Sequence, residues 1–407
     1  MSDYGTNSKD RAAALLTTDT AWLRWDFPER EGRYSQMRYT SDHFSGTDYN
    51  DLTREVAIYK LAGPNHHGWA TDVDTENGNA DYLLCANYNL SHPDVRQDLF
   101  NYGVWLGSQY KLAGMRIDAV KHFSATFAKA FVQHMCKTVG RDWFFIGEYC
   151  KDDLPTLCAY IEHMDHRMSL FDFSLHGNLV RLSWEKSPDL RTVFTNTLTS
   201  VKPANAVQFV TNHDTQERAG RVQEWETRVA PWFHMHAYAL ILLQQSLVKP
   251  CVFFGDLYGT RCPGARLPPS CFGKLPQMVL CRKMYAYGPQ FDYFDSPSCV
   301  GWTRTGDARV KPHGYESGTA GAGMAVLVNV SKKSQRKRMF VGVHRAGETW
   351  TDVLGFQSGN VMIDGDGYGE FAVGEKSVGV WVNERAPGRN QLDALVFDVD
   401  FYNKGRR

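Results

Sequence analysis

The sequence predicts an α/β protein built on a (β/α)8 (TIM) barrel that is incomplete, with about strands 4–8 present. Three acidic residues support this prediction, because Asp118, Glu148 and Asp214 each stand at the end of a short apolar run. Apolar runs of four to eight residues are typical of parallel strands that are covered on both faces. In such a barrel the C-terminal ends of the strands form the catalytic face. The sequence therefore predicts three carboxylates at that face.

Five apolar runs have the length of barrel strands, and all of them follow residue 110. They are residues 112–117, 143–146, 169–173, 207–210 and 250–255. A complete barrel needs eight strands. The chain is therefore expected to supply only the later strands of the barrel.

The spacing of the acidic residues fits strand–helix–strand units. Asp118 and Glu148 are 30 residues apart, which is the length of one such unit. Between them, Ser124 is expected to cap a helix that Gly140 ends. The apolar face of this helix would contain Phe127, Phe131 and Met135.

The chain outside the barrel segment is predicted to be mainly β-structure. Residues 1–93 are polar, aromatic and irregular, and they predict short strands joined by long loops. The barrel segment is expected to cover residues 94–300. Alternating strands separated by turn residues predict an antiparallel β-sandwich over residues 301–383. Residues 384–407 form a tail with no recognised pattern.

The composition does not indicate nucleic acid or a membrane as a partner. The 407 residues include 45 basic and 45 acidic side chains, so nothing indicates nucleic acid or an anionic membrane as a partner. No run has the length of a membrane span, and the first thirty residues lack the apolar core of a signal peptide. The nine cysteines are odd in number and contain no CxxC spacing, which favours reduced thiols. We therefore expect a cytoplasmic protein, and the oligomeric state stays open.

Three segments resemble the second, third and fourth signature regions of the alpha-amylase family, glycoside hydrolase family 13. They are GMRIDAVKH, IGEY and FVTNHD, in that order and at the spacing of barrel strands. Further segments, among them SDHFSGTDYND, ENGNADYLL and FFGDLYGT, resemble bacterial liquefying-type and intracellular fungal members. The resemblance covers about residues 21–382. It implies that residues 1–93 are the inserted B-type domain of that family.

One feature of the family pattern is absent. The first signature region, an apolar strand with the pattern D-x-x-x-N-H, does not occur in this sequence. The resemblance therefore implies that the N-terminal part of the barrel is missing, either from a truncated gene product or in a natural short form whose barrel is open or is completed by another chain. Open edges at the fourth and eighth strands would expose unpaired backbone groups. We accordingly expect the chain alone to be poorly stable and to hydrolyse little starch.

The resemblance implies a retaining mechanism, with Asp118 as the nucleophile and Glu148 as general acid and then general base. Retaining enzymes hold these two carboxyl groups about 5 Å apart, and neighbouring strands lie about 4.8 Å apart. Asp214 is expected to bind sugar hydroxyls and to favour the distorted, oxocarbenium-like ring. Taken singly, an acidic residue at a strand end is usually a helix cap or a turn residue. The prediction depends on the joint occurrence of all three.

Four further residues are expected to bind the glucan or to support the carboxylates: Arg116, Lys121, His122 and His213. Arg116 precedes Asp118 by two residues, so both side chains lie on the same face of the strand. Its positive charge favours the ionised form of that carboxyl group. His213 is expected to donate to a sugar hydroxyl, whereas Lys121 and His122 are expected on the leaving-group side.

The resemblance also implies a calcium site, because family members of this type hold calcium between the inserted domain and the barrel. Asp81 matches one ligand, and one weak site from Asp81, Asn87 and the carbonyl of His122 is conceivable. A plain hydrogen bond within a loop is the alternative role for Asp81. Uncharged residues stand where related sequences carry aspartate, which weakens the case for calcium; they are Ser45, Ala70, Asn87, Asn89 and Ser91.

These observations predict endo-hydrolysis of α-1,4-glucosidic bonds in starch- or glycogen-type polysaccharides, by a retaining double displacement. Two alternatives stay open. One is an α-glucan transglycosylase, which shares the covalent intermediate and differs in the acceptor. The other is an inactive, truncated remnant that binds glucan. Product analysis with maltoheptaose separates hydrolysis from transglycosylation.

Overall fold

A computed structural model describes most of the chain: residues 14–17, 23–63, 66–139, 142–216, 228–245, 247–262, 265–395 and 397. The chain divides into two compact units, residues 1–171 and residues 172–407. The predicted domain boundaries after residues 93, 300 and 383 stay predictions.

The first unit begins with a small sheet of short strands. Its strands are β1 (Ala14–Thr17), β2 (Phe44–Asn50), β3 (Glu55–Ala62) and β4 (Asn87–Tyr88). The strand order is β1-β3-β2-β4, with β1 parallel to β3 and the other pairs antiparallel. Apolar and aromatic side chains form its core: Leu23, Tyr39, Phe44, Tyr59, Leu61 and Val95. Short strands and long loops agree with the pattern of the sequence here.

The rest of the first unit alternates helices and parallel strands. The elements are α1 (Pro93–Gln109), β5 (Gly114–Ile117), α2 (Ala125–Val139), β6 (Phe144–Gly147), α3 (Leu154–His163) and β7 (Met168–Phe171). Strand β6 pairs in parallel with both β5 and β7. Each of the three apolar runs predicted for this region overlaps a strand.

Helix α2 begins where the sequence predicts. The hydroxyl oxygen of Ser124 accepts a hydrogen bond from the backbone N–H of Phe127, 3.0 Å long, as an N-cap does. The same hydroxyl donates to the carboxylate of Asp72 at 2.8 Å, and Asp72 also accepts from the backbone N–H of Thr126. These hydrogen bonds therefore connect the start of α2 to the loop that contains Asp72.

The second unit continues the same alternation. Its elements are α4 (Phe173–Trp184), α5 (Leu198–Val201), β8 (Ala206–Phe209), α6 (His234–Leu243), β9 (Lys249–Cys251), α7 (Phe254–Tyr258), β10 (Thr260–Cys262), β11 (Ala265–Leu267) and α8 (Leu275–Tyr285). Strands β8 and β9 pair in parallel. Helix α6 is buried along its length, as expected for a helix inside an α/β layer. Among the described residues, no helix is both long and apolar enough to span a membrane.

The C-terminal part of the second unit is antiparallel. Its elements are β12 (Gln290–Tyr293), β13 (Cys299–Arg304), β14 (Met324–Asn329), β15 (Gln335–Phe340), β16 (Thr349–Asp352), β17 (Val361–Met362), β18 (Tyr368–Val373), β19 (Ser377–Asn383) and α9 (Arg389–Asp393). Six strands form one sheet in the order β12-β13-β14-β19-β16-β17, and β15 pairs with β18. Trp302, Trp350 and Trp381 are fully buried here. The predicted antiparallel C-terminal domain is therefore confirmed.

Candidate active site

The ends of β5 and β6 bring two of the predicted acidic residues to the same edge of the first unit. Ile117 is the register partner of Gly147, and the backbone N–H of Glu148 donates to the carbonyl of Ile117 at 2.9 Å. The backbone N–H of Val120 in turn donates to the carbonyl of Glu148 at 2.9 Å. Backbone hydrogen bonding between these two segments therefore continues beyond the ends of β5 and β6. Asp118 and Glu148 directly follow these neighbouring strand ends.

Asp118 is exposed and lies beside a positive charge. Its carboxylate is 2.8 Å from a guanidinium nitrogen of Arg116, and the Asp118 side chain is 72% exposed. The Arg116 guanidinium also lies over the ring of Phe171, 5.9 Å from its centroid. The aromatic ring and the strand geometry thus orient Arg116 toward Asp118, as the spacing in the sequence predicts.

Glu148 is buried, with 8% of the residue exposed. Its Oε2 accepts a hydrogen bond from the backbone N–H of Ala119 at 3.1 Å. Ala119 has a φ of 49°, in the left-handed region that residues other than glycine rarely adopt. This turn directs a backbone donor from beside Asp118 toward Glu148. Strain of about 1–3 kcal/mol at such a residue persists only where the surroundings hold it in place.

The ammonium group of Lys121 is engaged in contacts within the first unit. Nζ donates to the Glu76 carboxylate at 2.6 Å and to the carbonyl of Cys150 at 2.9 Å, and the residue is buried. His122 is engaged through Nδ1, which lies 2.7 Å from the carbonyl of Ala80. The contacts of Lys121 and His122 connect the segment after β5 to loop 70–81. The expectation that these two residues bind glucan stays a prediction.

Asp74, which the sequence did not single out, connects loop 70–81 to the segments that follow β5 and β6. Its buried carboxylate accepts hydrogen bonds from the Tyr149 hydroxyl at 2.7 Å and from the Lys151 ammonium at 2.9 and 3.0 Å. Its backbone N–H donates to the carbonyl of Lys121 at 3.1 Å. Burial acts to raise the pKa of Asp74, but the donors Lys151 and Tyr149 outweigh it and hold the pKa below its ordinary value.

The Asp74 contacts fix the chain on both sides of the candidate acid. Tyr149 directly follows Glu148 and Lys151 lies three residues after it, just as Lys121 lies three residues after Asp118. Burial and the Asp74 carboxylate raise the pKa of Tyr149, so its hydroxyl stays a donor. In the sequence, the acid-rich stretch TDVDTEN offers several carboxylates and no periodicity that singles out Asp74.

His213 and Asp214 belong to the second unit, in the turn that follows β8. The backbone N–H of Asp214 donates to Oδ1 of Asn212 at 2.9 Å, and His213 Nε2 lies 3.3 Å from the Asp214 carboxylate. Both side chains are accessible, at 58% and 41%. Their roles toward a glucan stay predictions.

A cavity of about 590 Å³ in the second unit adjoins this turn. Thr211 and Gln216, which flank His213 and Asp214 in the chain, belong to its lining together with His234 and Asp256. The Tyr238 hydroxyl donates to Asp256 at 2.5 Å, which fixes that carboxylate. Concave sites with a few oriented polar groups are where small ligands bind.

The predicted calcium ligands do not fit a calcium ion. Calcium takes six to eight oxygen ligands, several of them carboxylates. Here Asp81 is the only carboxylate among the predicted ligands, and its Oδ2 accepts from the backbone N–H of Ala70 at 2.9 Å and from Asn87 Nδ2 at 3.2 Å. Asn87 therefore presents its amide nitrogen, a donor, toward Asp81. Burial raises the pKa of Asp81 to about 6.

Among the described residues, one other group has side chains close enough to share a metal: His43, His92 and Asp94, whose ligand atoms lie within 4.8 Å of one another. Both imidazoles use Nδ1 as an acceptor, from the backbone N–H of Thr40 at 2.9 Å and of Asp94 at 3.2 Å. A neutral imidazole that accepts at Nδ1 carries its proton at Nε2. These rings therefore have no second lone pair for a metal.

Comparison with known proteins identifies relatives along most of the chain. A family model described as "Alpha-amylase C-terminal" matches residues 324–382. The alpha-amylase of Bacillus licheniformis is 38% identical over 363 residues, which are 89% of this chain and 67% of that protein. The cytoplasmic alpha-amylase of Escherichia coli K12 is 33% identical over 372 residues, 89% of this chain and 72% of that protein.

A solved structure has the same fold. An alpha-amylase of Anoxybacillus matches with a TM-score of 0.57 at 17% identity, over 92% of this chain and 75% of that one. The likeness shows the fold, which is an incomplete (β/α)8 barrel followed by an antiparallel β domain. The chain spans about two thirds of the Bacillus licheniformis protein, at 67% of its length.

Proposed function

The chain belongs to the alpha-amylase family of glycoside hydrolases, and we propose that it hydrolyses internal α-1,4-glucosidic bonds of starch- or glycogen-type glucans with retention, at the low rate expected of an incomplete barrel. It is an enzyme of glycoside hydrolase type by descent. The relatives named as alpha-amylases support α-glucan as the substrate class. The E. coli relative, named as cytoplasmic, supports the expectation of a cytoplasmic protein.

The observation that carries this proposal is the placement of Asp118 and Glu148 at the ends of two paired parallel strands. Neighbouring strands lie about 4.8 Å apart, and retaining glycosidases hold their two carboxyl groups about 5 Å apart. An inverting enzyme needs a wider gap, about 6.5–9.5 Å, to admit a water molecule between sugar and base. Adjacent strand ends therefore favour retention.

In the first step, the Asp118 carboxylate attacks the anomeric carbon while Glu148 gives its proton to the glycosidic oxygen. The bond from the anomeric carbon to that oxygen breaks, the shortened glucan leaves, and a glycosyl ester on Asp118 remains. In the second step, Glu148 takes a proton from water, whose oxygen attacks the anomeric carbon. The ester bond breaks and Asp118 is again a carboxylate.

The two carboxyl groups occupy different environments, as their different roles require. Asp118 is exposed beside the Arg116 guanidinium, which suits a group that must be ionised to attack. Glu148 is buried and accepts a hydrogen bond from the backbone N–H of Ala119, which suits a group that exchanges a proton. Asp214 and His213 would bind sugar hydroxyls in the distorted ring and would act through hydrogen bonds that strengthen as charge develops.

The stereochemistry of the first product tests the proposal. Proton NMR during hydrolysis of maltoheptaose should show the α-anomer before mutarotation, because two displacements restore the starting configuration. Early formation of the β-anomer would contradict retention. Products longer than maltoheptaose would indicate transglycosylation, whereas binding without any new product would indicate a glucan-binding remnant.

A further inference from the structure

We propose that a network of hydrogen bonds around Asp81 has replaced a calcium ion in this chain, so that the first unit folds independently of calcium. The network, called here the Asp81 staple, consists of Ser45, Ala70, Asn79, Asp81 and Asn87. The inference depends on family membership and not on the proposed hydrolysis. Its tests measure folding and metal binding, so they remain decisive if the chain proves inactive.

Asn87 provides the first half of the Asp81 staple. Its Nδ2 donates to Asp81 Oδ2 at 3.2 Å and to the hydroxyl oxygen of Ser45 at 2.8 Å. A side-chain amide has two N–H donors, and both are used here. The Asn87 amide therefore stabilises the buried Asp81 carboxylate as a cation would, because its N–H hydrogens carry a partial positive charge.

Asn79 and the peptide of Ala70 provide the second half. Asp81 Oδ2 accepts from the backbone N–H of Ala70 at 2.9 Å, and Asn79 Nδ2 donates to the carbonyl of Ala70 at 2.7 Å. The backbone N–H of Asp81 donates to Asn79 Oδ1 at 2.8 Å, which closes a ring of hydrogen bonds. The backbone N–H and the carbonyl of Ala70 are therefore both hydrogen-bonded within the chain, without a metal.

The Asp81 staple joins three separate segments of the first unit. Ser45 lies on β2, at the point where the register between β2 and β4 shifts, and Asn87 lies on β4. Asp81 and Ala70 belong to the loop between β3 and β4. A bound cation would join the same segments through their oxygen atoms, so the hydrogen bonds perform the same structural task.

Two other positions where aspartate was expected are also satisfied by hydrogen bonds. Asn89 is buried, and its Oδ1 accepts from the Ser91 hydroxyl at 2.6 Å and from the Ser91 backbone N–H at 3.2 Å. The oxygen that Asn89 would give to a metal is thus already engaged within the chain. Uncharged side chains at these positions also supply none of the negative charge that binds calcium tightly.

The adjoining cavity contains a positive charge beside its two carboxylates. A cavity of about 480 Å³ is lined by Asp81, Ser45, Asn89 and Arg96. Asp72 also lines it, and its carboxylate accepts hydrogen bonds from the Ser124 hydroxyl and the backbone N–H of Thr126. The Arg96 guanidinium donates to the carbonyl of Leu90 at 3.2 Å and brings a positive charge to the space that a calcium ion would share. A nearby positive charge weakens cation binding by direct repulsion.

Thermal unfolding of the unmodified chain, in EDTA and in millimolar calcium, gives the first test. A ligand present at a hundred times its Kd lowers the unfolding equilibrium constant about 100-fold, which is a readily measured rise in Tm. We expect the same Tm in both solutions. A calcium-dependent rise in the Tm of the unmodified chain would overturn the proposal, and its loss or persistence in Asp81→Asn would show whether the ion binds at Asp81.

Variants of Asn87 give the second test. Asn87→Asp removes two donors and places a second carboxylate against Asp81, so we expect a lower Tm in EDTA that calcium restores. Asn87→Ala should lower the Tm equally in both solutions, and Asn101→Asp on helix α1 serves as a control for an added charge. If Asn87→Asp has the same Tm as the unmodified chain in EDTA, the amide does not hold Asp81 and the proposal fails.

Terbium luminescence gives a direct measure of binding, since Tb³⁺ occupies calcium sites and Trp69 lines the same cavity. Excitation of tryptophan should produce no terbium emission from the unmodified chain above that of Asp81→Asn. Emission from Asn87→Asp would show that one added carboxylate restores a metal site. Strong emission from the unmodified chain that Asp81→Asn removes would overturn the proposal.

Discussion

Glu148 accepts a hydrogen bond 3.1 Å long from the backbone N–H of Ala119, the residue that follows Asp118. This bond joins the two strand ends that carry the candidate acid and nucleophile. Ala119 reaches it only through a left-handed backbone conformation, with a φ of 49°. The position of Glu148 therefore depends on the turn after Asp118, and not only on its own strand.

Substitution of either carboxylate should abolish turnover without unfolding the chain. Asp118→Asn and Glu148→Gln keep the shape of the side chain and remove the nucleophile or the exchangeable proton. For residues that act as a unit, such losses reach about 10⁴-fold or more in kcat. Hydrolysis of maltoheptaose gives the rate, and thermal unfolding gives the control for folding.

The matched control for these variants is Asp165→Asn, which also removes an acidic group from the first unit. Asp165 is exposed, pairs with Lys129 and precedes the start of β7. Its loss should leave kcat within about twofold, because an exposed ion pair contributes about 0–1 kcal/mol. An Asp118→Asn variant as active as Asp165→Asn would exclude Asp118 as the nucleophile.

Asp74→Asn should slow the reaction although Asp74 touches no substrate in the proposed mechanism. The change weakens the hydrogen bonds that hold Tyr149 and Lys151, which lie one and three residues after Glu148. Misplacement of a catalytic group by about 1 Å can cost about 100-fold in rate. We expect kcat to fall at least about 10-fold with a smaller change in KM, together with a loss of about 1–3 kcal/mol in stability.

A double-mutant cycle separates positioning from general destabilisation. If Asp74 acts through Lys151, Asp74→Asn combined with Lys151→Met should lose less activity than the two single losses added together. Strict additivity of the two effects on kcat would show that Asp74 does not act through Lys151.

The stability of the second unit should fall as the pH drops from about 6.5 to about 4. His236 is fully buried, and burial lowers its pKa from 6.5 to about 4. Below pH 6.5 the imidazole of His236 binds a proton in the unfolded chain but not in the folded chain. The free energy of unfolding therefore decreases as the pH falls, until the pH reaches the pKa of His236 in the folded chain. Between pH 7 and pH 5 this contributes a loss of about 2 kcal/mol.

His236→Gln tests this contribution because glutamine stays neutral and can still donate to the carbonyl of Asn329, the partner of His236 Nε2 at 3.0 Å. Urea unfolding at pH 7 and pH 5 should show a smaller pH-dependent loss in this variant than in the unmodified chain. His313→Gln, at an exposed histidine, should leave that loss nearly unchanged. Equal losses in all three proteins would contradict the role of His236.

Thiol reactivity should follow burial. Cys85 is an exposed free thiol, whereas Cys271, Cys281 and Cys299 are free thiols buried in the second unit. Burial raises the pKa of Cys299 to about 11 and also raises the pKa of Cys271 and Cys281. Cys85 should react with a disulfide reagent in the native chain, and the other three only after denaturation. Native-state modification of Cys271 at the rate of Cys85 would contradict this.

The sequence predicted features that depend on local pattern. The apolar runs before Asp118 and Glu148 are strands, since a short run of apolar residues is what a doubly covered strand requires. Ser124 caps helix α2, since a serine before an apolar periodicity is a local signal. The antiparallel C-terminal domain also followed from alternation along single strands.

Features that depend on contacts distant in sequence could not be predicted in this way. Lys121 meets Glu76 across 45 residues and Tyr149 meets Asp74 across 75, and no spacing rule connects such pairs. Which acidic residue of loop 70–81 becomes buried is decided by the fold and not by the local sequence. The same holds for the Asp81 staple, in which Ser45 is 42 residues from Asn87.

The most direct test of the central claim is to trap the covalent intermediate on Asp118. A fluorinated maltosyl fluoride forms the glycosyl ester and slows its hydrolysis, so the modified chain can be digested and measured by mass spectrometry. The account predicts one added maltosyl group on the peptide that contains Asp118, and none in Asp118→Asn. A label on another residue, or turnover of the reagent with inversion and no label, would contradict it.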